Sequence, residues 1–167
     1  MTTRITPPRL GETWPGQGGV YAGLVRGDKG APDFHLIVPT APQAHTAAVA
    51  WGSQGTDEPG ATSKRDGVAN TIVLVQSEHT HPAAEWAAGL EIDGFKDFYL
   101  PSQGELALCF VNVPEVFEPG WHWSSTQYSR DNAWGQYFSG GTQFGHDKSC
   151  EGHARAVRRF RDRKSVV

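Results

Sequence analysis

Cysteine is scarce in this sequence: among 167 residues only Cys109 and Cys150 occur. Two cysteines can build neither a disulfide framework nor a four-cysteine zinc site. They could pair with each other, but Cys109 lies in the apolar run 106–111, which favours a buried free thiol.

Long apolar runs are also absent, since no stretch approaches the ~18 apolar residues of a membrane span. The N-terminal letters MTTRITPPRL contain no apolar core of a signal peptide, so we expect synthesis in the cytoplasm. A role outside the cell would then need another carrier, such as a phage particle released by lysis. The net charge of −3 does not favour nucleic acid as a partner.

Hydrophobic residues make up only 38% of the chain, whereas 20 glycines and 11 prolines are high numbers. Six tryptophans compensate in part, because each can bury roughly 150–250 Å². The length favours one domain with a real core. We therefore expect a loop-rich domain held together by large aromatic side chains.

The N-terminal half predicts an arm, a hairpin and two helices. Residues 1–17 are predicted to form an extended arm, with Trp14 packing on the domain or on a partner. Turn residues inside 18–39 predict a β-hairpin. The segment 41–62 is polar, and Ser63 is expected to cap a helix whose core residues are Val68, Ile72, Leu74 and Val75. A second short helix is expected over 83–90.

The C-terminal half predicts a third helix followed by strands. A short strand over 98–100 ends at Pro101, and Ser102 with Glu105 matches the capping box of a helix over 103–111. From 121 onward the pattern predicts antiparallel strands with a hairpin turn at Gly140-Gly141. Residues 162–167 form a basic tail, and the fold class of the whole is α+β.

Strand alternation divides the region 121–160 into two faces. One face would carry Trp134, Gln136 and Phe138, and the other Gly135, Tyr137 and Ser139. We expect the first face to pack in the core, with Trp123, Trp134, Phe138 and Phe160 holding the backbone. The second face could then accept almost any side chain.

Two motifs resemble a known family. One is Asp97-Phe98-Tyr99-Leu100-Pro101-Ser102 with Glu105-Leu106; the other is Trp123-Ser124-Ser125-Thr126 followed by Trp134, Gln136, Phe138, Gly141, Gln143, Lys148 and the run 154–160. Together they are similar to the bacterial and phage family with the C-type lectin-like fold, and most closely to the variable proteins of diversity-generating retroelements. The resemblance covers roughly residues 63–161. It implies a C-type lectin-like domain over 18–161.

The resemblance also implies a mechanism of diversification. In such elements a reverse transcriptase miscopies template adenines, and the product replaces the 3′ end of the variable gene. Codons of the AAC type can then become many amino acids, but never Trp, Met, Lys, Gln or Glu. The residues matched to a fixed frame include Gln127, Trp134, Gln136, Gln143 and Lys148, and those left between 129 and 153 are reachable apart from Glu151.

The predicted ligand-binding residues are fifteen of the reachable positions of this stretch. They are Ser129, Arg130, Asp131, Gly135, Tyr137, Ser139, Thr142, Phe144, Gly145, His146, Asp147, Ser149, Cys150, Gly152 and His153. Tyr137 and Phe144 are the expected anchors, because aromatic side chains dominate interface hot spots.

Other chemistries are poorly supported by the residues. A calcium lectin would need further oxygen ligands, which Glu58-Pro59-Gly60 and Glu118-Pro119-Gly120 lack. The cysteines do not match the pair used by formylglycine-generating enzymes, a group that shares the broader fold. His79 with His81, or His146 with Cys150 and His153, could ligate a metal, but a loop and a variable face explain them more simply, so no metal is assigned. No catalytic set is recognisable and no cofactor is expected.

Two functional hypotheses remain. The first is a non-enzymatic binding protein whose C-terminal face is diversified to bind variable protein or glycan targets, as in phage receptor binding. The alternative is a structural virion or tail component of the same fold that is never diversified, with residues 1–17 contacting other tail proteins.

Overall fold

The computed structural model describes residues 5–161 and contains three helices and two β-sheets. The helices are α1 (Gly67–Gln76), α2 (Pro82–Ala88) and α3 (Gln103–Asn112). The strands are β1 (Thr13–Trp14), β2 (Gly19–Val25), β3 (Phe34–Val38), β4 (His45–Ala50), β5 (Trp121–Gln127), β6 (Asn132–Tyr137), β7 (Gln143–Asp147), β8 (Glu151–Arg155) and β9 (Arg158–Phe160). The predicted α+β class is confirmed. Within these residues no helix is long and apolar enough to cross a bilayer.

The first sheet has the order β1-β2-β3-β9 and is antiparallel throughout. The predicted hairpin is its β2–β3 pair. Trp14 is buried beside Tyr21 and Ile37, as expected for a residue that packs on the domain. Because Trp14 of β1 pairs with Gly19 of β2, residues 13–14 of the predicted arm belong to the first sheet. Residues 1–4 of that arm and the predicted basic tail 162–167 lie outside the described residues.

The second sheet has the order β4-β8-β5-β6-β7. Strands β5, β6 and β7 form an antiparallel meander, and the β6–β7 turn contains Gly140-Gly141 as predicted. However, β8 lies parallel to β5, with His122 opposite His153. The predicted antiparallel C-terminal region is therefore confirmed for the β5–β6, β6–β7 and β4–β8 pairs, and the β5–β8 pair is the exception. In this sheet β8 lies between β4 and β5 and pairs with both. The strand β4 was not predicted, because the segment 41–62 is polar.

The helices follow local sequence signals to different degrees. Ser102 and Glu105 form both hydrogen bonds of the predicted capping box at α3. Helix α1 starts later than expected, because the Asp66 side chain caps it by accepting a hydrogen bond from Ala69. Its buried face includes Leu74, whereas the predicted core residues Ile72 and Val75 are exposed.

Two buried tryptophans fix the second sheet to the segment that precedes α1. Trp51 Nε1 donates to the carbonyl of Ser124, and Trp123 Nε1 donates to the carbonyl of Val49, at 2.9 and 2.8 Å. Both rings belong to one hydrophobic cluster with Leu74 and Leu100. These reciprocal contacts hold β4 and β5 in a fixed relation, which positions the surface described next.

Candidate functional site

Four aromatic side chains project from one face of the β5–β6–β7 meander. The strand register pairs Trp121 with Tyr137, Gly135 with Phe144, and Ala133 with His146. Directly paired residues of antiparallel strands share a face. We call Trp121, Tyr137, Phe144 and His146 the aromatic face.

The rings of the aromatic face form a continuous series of contacts, which we call the ring stack, although only Tyr137 and Phe144 are stacked face to face. Phe144 is stacked on Tyr137 with centroids 5.0 Å apart, and it lies 4.3 Å from His146. His146 in turn lies 3.8 Å from Trp121, whose ring packs 4.3 Å from the buried Trp123. The stack therefore runs from the core outward to Phe144, which is 38% exposed. A surface of this kind offers ring faces to a partner from a rigid base.

Gly135 and Gly152 lie beneath the indole of Trp121. A Cβ at Gly135 would stand 1.9 Å from Trp121 Nε1, and one at Gly152 would stand 2.2 Å from Cζ3. Both glycines are buried. The prediction that they are ligand-contacting residues was therefore wrong for this sequence, because Trp121 occupies the space above them.

Two polar atoms in the aromatic face are buried without a hydrogen-bond partner among residues 5–161: Trp121 Nε1 and His146 Nε2. Burial lowers the pKa of His146 below its usual value, so its ring is neutral at pH 7. Unsatisfied buried polar atoms are uncommon and costly in folded proteins. Both atoms are closed off from solvent, so a ligand could reach them only after the rings move.

The β5–β6 and β7–β8 turns meet beside the aromatic face and are held by Lys148. Its buried ammonium donates to the carbonyl of Thr56 at 2.5 Å, to Gln127 Oε1 at 2.7 Å and to the carbonyl of Arg130 at 2.8 Å. Burial lowers the pKa of Lys148 to about 8, against the attraction of Asp57, Glu58 and Asp131. Three segments of the chain, at Thr56, Gln127 and Arg130, thus converge on one ammonium group.

Several predicted ligand-binding residues lie in these two turns. Arg130 and Asp131 are exposed, with Arg130 Nε donating to the carbonyl of Gly55 at 3.2 Å, and Ser129 is half-buried. Ser149 donates to Asp147 Oδ1 through both its amide and its hydroxyl, which lowers the pKa of that carboxyl. Cys150 is an exposed free thiol.

The remaining predicted residues lie elsewhere. Ser139 and Thr142 are exposed at the β6–β7 turn, on the far end of the meander. A Cβ at Gly145 would point toward the ring of Tyr128, so Gly145 belongs to the face opposite the aromatic face. His153 is also on that opposite face, because it pairs with His122. The structure therefore does not gather all fifteen predicted residues at one surface.

Two aromatic assignments differ from the sequence expectations. Trp123 is buried in the core as expected, but Trp134 is only half-buried, against the exposed Tyr128. Trp121 was never proposed as a site residue, although it forms the base of the aromatic face. Its two-residue spacing from Trp123 could have placed both rings on one face of β5.

The opposite face of the sheet carries a second group of ring side chains. His153 is stacked on both His45 and His122 there, and His122 is fully buried. Burial lowers the pKa of His122 to about 3, so its ring is neutral. No pairing of His153 with His146 or Cys150 as a three-ligand group occurs among residues 5–161.

No protein-family model and no curated protein matches this chain.

Proposed function

We propose that this chain is a non-enzymatic binding protein that uses the aromatic face and the adjoining turns to bind a protein or glycan ligand. We further propose that retroelement mutagenesis diversifies this surface. The observation that carries the proposal is the continuous ring stack from the buried Trp123 to the exposed Phe144.

The ring stack suits binding for a physical reason. Aromatic rings supply large contact areas and lose little conformational freedom when a ligand orders them, and they dominate the energetics of protein interfaces. Arg130 and Asp131 supply charges of both signs at the border of the aromatic face.

The separation between exposed and buried residues supports the diversification hypothesis. Of the residues that an adenine-mutagenised AAC codon cannot produce, Gln127, Gln136 and Lys148 are buried, Trp134 and Gln143 are half-buried, and Glu151 is exposed. The reachable residues include the exposed Arg130, Asp131, Ser139, Thr142, Phe144, Ser149 and Cys150. An exposed residue can change at a cost of usually less than about 0.5 kcal/mol, so this arrangement tolerates variation.

The direct test is a binding assay on the variant Tyr137→Ser/Phe144→Ser/His146→Asn. Labelled wild-type protein would first be screened on a glycan array and on a panel of intact bacteria. The triple variant should lose binding to every positive target by at least about 30-fold, because one lost aromatic anchor can cost more than about 2 kcal/mol. It should still unfold cooperatively, with some loss of stability because Tyr137 and His146 are half-buried.

The matched control is Leu24→Ser. Leu24 is a large apolar residue that is 54% exposed, but it lies on β2 in the other sheet, away from the aromatic face and its turns. This variant should bind the targets as the wild type does. Equal loss of binding in both variants, or unchanged binding in the triple variant, would contradict the assignment of the aromatic face as the binding surface.

A further inference from the structure

Three strands bring three histidine rings together on the face of the sheet opposite the aromatic face. His122 on β5 pairs with His153 on β8, and His45 on β4 pairs with Arg155, two residues beyond His153. Each histidine offers one ring nitrogen, and the three nitrogens lie within 4.8 Å of one another. We call these residues the histidine cluster. It joins positions 108 residues apart in the chain, so the fold alone assembles it.

The hydrogen bonds around the cluster leave one ring nitrogen free to accept. His122 Nδ1 lies 3.4 Å from the carbonyl of Gly120, which fixes its proton on Nδ1 and leaves a lone pair on Nε2. His122 Nε2 is buried and has no hydrogen-bond partner among the described residues. A ring whose second nitrogen donates to a backbone carbonyl is the usual arrangement of a metal-binding histidine.

The other two histidines, His45 and His153, are hydrogen-bonded to each other. His45 Nε2 and His153 Nδ1 are 2.9 Å apart, so they share one proton in a hydrogen bond. In a tetrahedral zinc site, Zn–N distances of about 2.0–2.1 Å place the ligand nitrogens about 3.4 Å apart. A metal ion would therefore replace the shared proton after the two rings separate by about 0.5 Å and His122 closes by at most about 1.4 Å.

We propose that the histidine cluster is a binding site for a divalent transition-metal ion, with zinc as the preferred occupant. Three imidazoles suit zinc, and a water molecule would take the fourth position. The ion would tie β4, β5 and β8 together at the only parallel strand pair of the described residues. Because the site lies on the other side of the sheet, its role is to stabilise the fold beneath the binding surface.

Charged residues near the cluster have opposite effects on the binding of a cation. Arg155 opposes positive charge at His45 and His122, whereas Glu118 favours it at His45. The Arg155 guanidinium is held away by a hydrogen bond of 2.9 Å to the carbonyl of Pro39 and by packing over Phe117. Phe117 and Phe138 also pack edge-on against the His122 ring and shield it from water. We therefore expect one ion to bind per chain, with an affinity that the positive charge of Arg155 lowers.

The test is a cobalt titration of the full chain after removal of metals with a chelator. Co²⁺ should produce the visible absorption bands of a tetrahedral site that saturate at one equivalent, and Zn²⁺ should displace it. His153→Gln and His45→Gln should each weaken Co²⁺ binding at least tenfold, since each removes one of three ligands. Both residues are half-buried, so both variants should fold, which circular dichroism would verify.

The control is His79→Gln, which removes an exposed histidine outside the cluster and should leave the titration unchanged. A melting temperature that rises with Zn²⁺ concentration in the wild type and in the control, but not in the cluster variants, would support the site independently of absorption. The proposal is overturned if the wild type binds no stoichiometric metal, or if the cluster variants bind it as tightly as the control does.

Discussion

Gly135 provides the sharpest test of how the aromatic face is built. In Gly135→Ser the new Cβ would stand 1.9 Å from Trp121 Nε1, about 1.5 Å closer than an ordinary van der Waals contact. The indole must leave its place on Trp123 and His146, or the strand must shift. Overpacking of this kind costs about 1–3 kcal/mol. At about 2–4 °C per kcal/mol for a chain of this size, the melting temperature should fall by about 2–12 °C.

A double-mutant cycle identifies the cause of that loss. Trp121→Ala alone should destabilise by less than the about 3–5 kcal/mol of a fully buried tryptophan, because Trp121 is half-buried. Gly135→Ser in the Trp121→Ala background should then add almost nothing, giving a coupling energy of at least about 1 kcal/mol. The measurement is urea unfolding of the four proteins under identical conditions.

Gly140→Ser is the matched control, since a Cβ at Gly140 meets no atom within 4 Å. It lies in the next turn of the same hairpin and should change the stability by less than about 0.5 kcal/mol. The reasoning is refuted if Gly135→Ser is as mild as this control, or if the effects of Gly135→Ser and Trp121→Ala simply add. Either result would mean that position 135 is open, as the sequence alone suggested.

Three further predictions concern stability. Trp123→Ala should cost about 3–5 kcal/mol, whereas Trp134→Ala should cost less than about 2 kcal/mol, and thermal melts of the two variants decide which ring is core. Ser102→Ala should cost about 1 kcal/mol by removing the capping box of α3, and a loss below about 0.3 kcal/mol in urea unfolding would contradict that role. Lys148 has a pKa of about 8 when folded and 10.5 in its ordinary state, so the unfolded chain binds more protons between these values. Lys148 should therefore add about 1–3 kcal/mol to the free energy of unfolding between pH 8 and 10, whereas Cys109, whose pKa burial raises, should subtract from it over the same range. The difference between the wild type and Lys148→Met isolates the Lys148 contribution, because Cys109 is common to both proteins.

Local signals in the sequence were sufficient where neighbouring residues decide the structure. The capping box at Ser102 and Glu105 is formed as predicted, because both hydrogen bonds join residues three apart. The turn at Gly140-Gly141 likewise depends on the backbone freedom of Gly141, whose φ is +86°. Alternation along β6 also correctly separated Trp134 from Tyr137.

Alternation could not show which side of the sheet is the core. Each face of the meander is covered in part and exposed in part, because the segment around Trp51 packs on one face and α3 on the other. On the face that α3 partly covers, Gln136 is buried while Trp134 is only half-buried. The histidine cluster was equally hidden, because His45 lies in a stretch of low hydrophobicity that gave no strand signal. Only the β4–β8 and β5–β8 pairings, which join distant residues, bring His45 and His122 to His153.

The most direct measurement of the central proposal is sequencing of this gene and its flanking DNA across many isolates. A diversified binding surface predicts that substitutions concentrate at exposed and half-buried codons such as Tyr137, Phe144 and His146. The buried Trp123 and Lys148 should stay constant, and a template repeat should lie nearby. Substitutions scattered evenly along the gene, or the absence of any template repeat, would contradict the proposal.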